Sequence, residues 1–132
     1  MDDLIHLLIA DDHPFVRQGL QRVLSHDPNI RVVGEATDGP QVLVQLVTLE
    51  VDVVLMDVRM PVLDGIRTTE RIAQQFPSVR VLGLSLYEYT GYAHEMLLAG
   101  ALGCLPKTVA GPVLLQAIRT VARGEPFVYP NN

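Results

Sequence analysis

Apolar residues follow two alternating rhythms along this chain. Unbroken runs rich in Val, Ile and Leu occupy 4–10, 30–36, 51–57 and 79–86, with a weaker run at 101–105. Continuous apolarity over roughly four to eight residues predicts strands buried on both faces. Between the runs, apolar positions recur at helical spacing. Val16, Leu20, Val23 and Leu24 form a stripe across Phe15–Leu24, with Pro14 suited to the first turn. Leu43, Leu46 and Val47 form a shorter stripe after the Asp38-Gly39 turn. Ile66, Thr69, Ala73 and Phe76 continue the pattern after Asp64-Gly65, and Pro77 stops that helix. Ala93, Met96 and Leu97 precede Gly100, a suitable carboxyl cap. Leu114, Ile118, Val121 and Ala122 mark a last helix that ends at Gly124 before Pro126.

Strands and helices in strict alternation imply right-handed βαβ units and a parallel sheet covered on both faces. The expected fold is α/β: a five-stranded, doubly wound domain. Pattern alone leaves the strand order open, but the flavodoxin-like order 2-1-3-4-5 sets strands one and three side by side at a topological switch point, where such sheets place their ligand crevice.

The ends of those two strands carry the candidate chemistry. The first run ends in Asp11-Asp12 and the third in Asp57, so order 2-1-3-4-5 would gather three carboxylates at one sheet edge. Such a cluster repels itself, and without a cation at least one acid would have a raised pKa. A divalent ion resolves the conflict, and oxygen-only donors suit Mg²⁺ better than zinc. Ser85, near the end of the fourth strand, and Lys107, just past the fifth, fall at the same edge. A primary amine and a hydroxyl there could bind phosphoryl oxygens. Each residue alone has a plainer reading: Asp57 as a turn former, Asp11-Asp12 as a cap cluster, Lys107 as a solvated lysine. Their shared placement favours function.

Composition narrows the field. A chain of 132 residues is one domain by size. Acids exceed bases by 15 to 10, a net charge of −5, and the basic residues are scattered, which argues against a nucleic-acid reader. The single Cys104 cannot form an internal disulfide, in keeping with a reducing cytoplasm. The amino terminus is acidic where a secretory signal would be basic, and no segment approaches the ~20 apolar residues of a membrane span.

In order and spacing, Asp11-Asp12, the segment D-V-R-M-P-V-L-D-G from Asp57, Ser85, and Lys107 twenty-two positions later resemble the receiver domain of two-component response regulators. The pieces I-A-D-D-H-P, G-A-L-G-C-L-P-K and A-R-G-E are similar to the NarL/FixJ (LuxR-type) subfamily, whose members commonly carry a helix-turn-helix DNA-binding domain after a linker. The resemblance implies a phosphoacceptor at Asp57 that takes a phosphoryl group from a sensor histidine kinase. Mg²⁺ would be held by Asp12, Asp57 and the backbone carbonyl of Arg59, with Asp11 ligating directly or through water. Lys107 and Ser85 would bind the transferred group. The implied organisation is a receiver over 1–124 and the start of a linker or tail over 125–132, with homodimer formation on phosphorylation and DNA contact only through a domain absent from this chain. A cytoplasmic, self-modifying switch is expected, not a turnover enzyme.

Two departures bear on the switch. Cys104 stands where receivers usually place an aromatic residue, and Pro106 precedes Lys107 where many members have a proline after the lysine. The signal is therefore expected to run through Ser85 and 86–90, with one of Tyr87, Tyr89 or Tyr92 in the aromatic role. His13, next to Asp12 and before Pro14, reads as a structural or surface histidine. Three other functions compete. A flavin-phosphate binder would suffer repulsion from Asp11-Asp12. An aspartate-based phosphohydrolase would need a second acid where Arg59 stands. A stand-alone or degenerate receiver would act only as a protein-interaction module.

Overall fold

The computed structural model describes residues 4–86 and 90–129. Five strands alternate with five helices: β1 (Ile5–Ala10), α1 (Pro14–Leu24), β2 (Ile30–Ala36), α2 (Gly39–Thr48), β3 (Val53–Asp57), α3 (Gly65–Gln75), β4 (Arg80–Ser85), α4 (Thr90–Ala99), β5 (Gly103–Pro106) and α5 (Gly111–Ala122). The strands form one parallel sheet in the order β2-β1-β3-β4-β5, as the two-rhythm pattern and the placement of the acids anticipated.

Alternate strand residues point to opposite faces, so each continuous apolar run serves two cores. On one face Leu7, Ile9, Val53, Leu55, Leu82, Leu84 and Leu105 pack with Leu24 of α1 and with Leu114, Ile118 and Val121 of α5. On the other, Leu8, Val54, Met56 and Val81 pack with Val42 and Leu46 of α2, Ile72 of α3 and Met96 of α4. All five residues of β3 are buried. At about 25 cal/mol per Å² of apolar surface, these two layers supply most of the drive to fold.

Helix starts follow local chemistry. Asp38 caps α2 by accepting from the Gln41 N–H at 2.8 Å, and Asp64 caps α3 by accepting from the Arg67 N–H at 2.8 Å. Helix faces diverge in part from the predicted stripes. Val42 rather than Val47 joins Leu46 under α2, and Val47 is 73% exposed. That helix is apolar nearly all round, so periodicity alone does not choose its inner face. In α3 the buried side chains are Thr68, Thr69 and Ile72, while Ala73 is exposed. The threonines tolerate burial because their hydroxyls donate back to the carbonyls of Asp64 and Gly65, at 2.7 and 2.6 Å. Leu97 of α4 is exposed, Met96 and Ala99 are buried, and Met96 joins the second core with Tyr92 packed against it.

Beyond α5, Gly124 adopts φ +81°, and the chain turns back so that the Phe127 N–H donates to the Leu102 carbonyl at 2.9 Å. Phe127 packs against the first core, beside the edge strand β5. Among the described residues, no helix is long and apolar enough to cross a membrane.

Candidate functional site

The sheet register carries the acids together. Ala10 pairs with Met56, so Asp11 comes beside Asp57 at the carboxyl edge. Asp57 pairs with Leu84 and Ser85 with Pro106, which sets Ser85 and Lys107 just above the same row. The Lys107 N–H donates to the Ser85 carbonyl at 2.8 Å, fixing where the lysine leaves the sheet. Its stem is buried, and Nζ reaches back to lie 2.5 Å from Asp11 Oδ2 and 3.2 Å from Asp57 Oδ1. Asp12, His13, Asp57, Arg59, Ser85 and Lys107 all line one open cleft of about 380 Å³.

The loop after β3 is held tightly. Gly65 starts α3 directly against β3, where a Cβ would come within 2.0 Å of the Asp57 carbonyl oxygen, and its N–H donates to the Val58 carbonyl at 2.9 Å. Between them Val62 adopts φ +70°, a strained conformation for a β-branched residue, with its side chain exposed. A second brace lies behind the Asp11-Asp12 corner. Arg17 of α1 donates from Nη1 to the Asp11 carbonyl and from Nε to Glu35 Oε1 of β2, both at 2.7 Å. Gln21 adds a third bond, to Glu35 Oε2 at 3.0 Å.

Asp57 is 5% exposed and Asp11 1%. Burial is the main cause that raises the Asp57 carboxyl from 3.8 to about 6. Lys107 opposes that rise, Asp11 adds to it, and the Arg59 N–H, 3.3 Å from Asp57 Oδ1, opposes it weakly. The raised acid expected from like-charge repulsion is present, but desolvation is its larger source.

Three buried carboxylate oxygens, Asp11 Oδ2, Asp12 Oδ1 and Asp57 Oδ2, accept no hydrogen bond. Asp11 Oδ2 and Asp12 Oδ1 lie against Lys107 and His13 as ion-pair contacts outside hydrogen-bond geometry. Asp11, Asp12, His13 and Asp57 each offer a ligand atom, all within 4.8 Å of one another. Buried, hydrogen-bond-free oxygens of this kind suit a hard divalent cation.

Sequence reasoning gave too little weight to three residues. His13, read as structural or surface, is half-exposed but presents Nδ1 to Asp11 Oδ1 at 3.1 Å and to Asp12 Oδ1 at 3.2 Å. Its adjacency to Asp12 was the available signal. Arg17 had none, because its partner Glu35 lies in a different element, β2. Gly65 was noted only as a turn residue. Cys104 packs in the second core layer with Gly83 beneath it, where a Cβ would lie 3.0 Å from Sγ, and burial pushes its thiol up to about 11. Tyr92 packs against the same layer, whereas Tyr87 and Tyr89 lie outside the described residues.

Comparisons with known proteins agree with this geometry. Residues 7–119 match the family model of the response regulator receiver domain. The chain is 33% identical over 129 residues to the transcriptional regulatory protein DegU of Brevibacillus brevis, covering 98% of this chain and 55% of DegU. It spans 55–60% of the length of the curated relatives it matches. Among solved structures, the signal receiver domain of the putative response regulator NarL from Mycobacterium tuberculosis superposes with a TM-score of 0.87 at 32% identity, over 92% of this chain and 98% of that one. The isolated receiver of RcsB from Salmonella enterica serovar Typhimurium, in the presence of the phosphomimetic BeF3-, gives 0.87 at 28% identity, over 96% and 94%. Family model, relatives and sheet order agree: this chain belongs to the receiver domains of two-component response regulators, of the NarL/LuxR type.

Proposed function

We propose that Asp57 is the phosphoacceptor and that the chain works as a cytoplasmic switch driven by a sensor histidine kinase. The observation that carries the reading is Asp57 Oδ2, a buried carboxylate oxygen that accepts no hydrogen bond, on a side chain lining an open cleft. An Asp57 oxygen attacks the phosphorus of a phosphohistidine. The P–N bond breaks, its electron pair returns to the donor imidazole, which takes up a proton, and an aspartyl phosphate forms. A small acyl phosphate can serve as donor in the same way.

Lys107 touches both Asp11 and Asp57 before transfer, so a short movement of Nζ would give an incoming phosphoryl oxygen a cationic partner. The Ser85 hydroxyl is placed to donate to another. Asp11, Asp12, Asp57 and the Arg59 carbonyl would hold Mg²⁺, which when bound offsets the charge of the carboxylate and the anionic donor as they approach. Positioning and electrostatics account for most of the catalysis in such a step. Each chain takes one group and later loses it to water, so the protein modifies itself without turning over a substrate.

The receiver spans 1–124, and 125–132 is the start of a linker or a C-terminal tail, with Phe127 packed against the first core. The natural output is transcription through a following helix-turn-helix domain, with dimer formation on phosphorylation. Intact-mass analysis after incubation with Mg²⁺ and acetyl phosphate tests the reading. The native chain should gain one labile phosphoryl group, and Asp57→Ala should gain none. Equal labelling of the variant would place the nucleophile elsewhere.

A further inference from the structure

The His13 ring is the one member of the acid cluster that phosphoryl transfer does not use. It follows Asp12 directly, and its backbone N–H donates to Asp11 Oδ1 at 2.8 Å, which ties the residue to the corner that carries the acids. Its Nδ1 is hydrogen-bonded to Asp11 Oδ1 at 3.1 Å and lies 3.2 Å from Asp12 Oδ1, and the ring is 53% exposed. The ligand atoms of Asp11, Asp12, His13 and Asp57 lie within 4.8 Å of one another. Opposite ligands on a first-row metal are ~4.2 Å apart, so this span closes to a coordination sphere with small side-chain movements. Asp57 Oδ2, on a residue 5% exposed and without a hydrogen bond, supplies the further sign that the pocket is built for a ligand.

We propose that His13 is a nitrogen ligand in this pocket, and that it makes the site bind borderline divalent ions of the Co²⁺ class more tightly than Mg²⁺. The proposal rests on the same acid pocket as the phosphoacceptor reading. Mg²⁺ favours oxygen and retains its waters, so replacing one water with imidazole gains it little. Co²⁺, Ni²⁺ and Zn²⁺ bind imidazole well, and the same exchange strengthens their binding. Three carboxylates alone would not separate the two classes so sharply.

Calorimetric titration of the full chain with Co²⁺ and, separately, Mg²⁺ tests the idea. His13→Ala and the ring-retaining His13→Phe are compared with the native protein, and their melting temperatures confirm folding. The expected result is a loss of Co²⁺ affinity of about tenfold or more in both variants, with Mg²⁺ affinity changed less than about twofold. Unchanged or tighter Co²⁺ binding in both variants would overturn the proposal and reduce His13 to a charge partner of the acids. Failure of the native chain to bind either ion would instead overturn the metal pocket itself, and the phosphoacceptor reading with it.

Discussion

Asp57 holds its carboxyl in an unfavourable place, 5% exposed. Its carboxyl, raised from 3.8 to about 6 chiefly by burial, is easier to protonate in the folded chain than in the unfolded one. A raised acid leaves stability unaffected below about pH 4, where both states are protonated, and lowers it as the pH climbs through 6. In the metal-free protein the cost at pH 8 is on the order of 3 kcal/mol. Asp57→Asn should therefore melt several degrees above the native chain at pH 8 in chelator, with the gap closing near pH 4. Differential scanning calorimetry at the two pH values checks this. A gap independent of pH would mean that the carboxylate is fully compensated by Lys107. The same shift makes the ionised form of Asp57 scarcer below pH 6 in the metal-free protein.

The connections around the sheet hold that carboxylate in place. Gly65 lets α3 begin where a methyl group would overlap the Asp57 carbonyl oxygen, so Gly65→Ala must push α3 or β3 aside. A loss of about 2–3 kcal/mol is expected, read as a lower urea midpoint. Arg17 joins α1, β2 and the carbonyl of Asp11 without touching a metal ligand's carboxylate. Arg17→Ala should weaken Mg²⁺ binding about tenfold while leaving the fold intact, and titration beside a thermal melt separates the two effects. The strands could be read from the sequence because buried parallel strands are apolar throughout, and their order followed from the acids that end strands one and three. Three helix faces could not. The apolar ring of residues around α2 hid the choice of Val42, back-bonded hydroxyls made Thr68 buriable, and α4 buries Met96 and Ala99 rather than Leu97. In the site, the acids, Ser85 and Lys107 followed from strand ends. The Lys107 ion pairs, the turn of His13 toward the acids and the Arg17 brace depend on side-chain directions that spacing does not encode.

One sheet edge gathers the whole site, and the fold beneath it is a frame that holds carboxylates together against their own repulsion. The net charge of −5 argues against phosphate-backbone recognition by this domain, and the chain spans little more than half the length of its curated relatives. Phe127, held to Leu102 beside the edge strand, ties the stretch after α5 to the first core. The function proposed above requires a single acyl phosphate at residue 57. Borohydride converts an aspartyl phosphate to homoserine, and peptide mapping of chain treated with Mg²⁺ and acetyl phosphate then reports the modified position. Homoserine at position 57 and nowhere else is the predicted result. Homoserine at 11, 12 or 64 with residue 57 still aspartate would contradict the account.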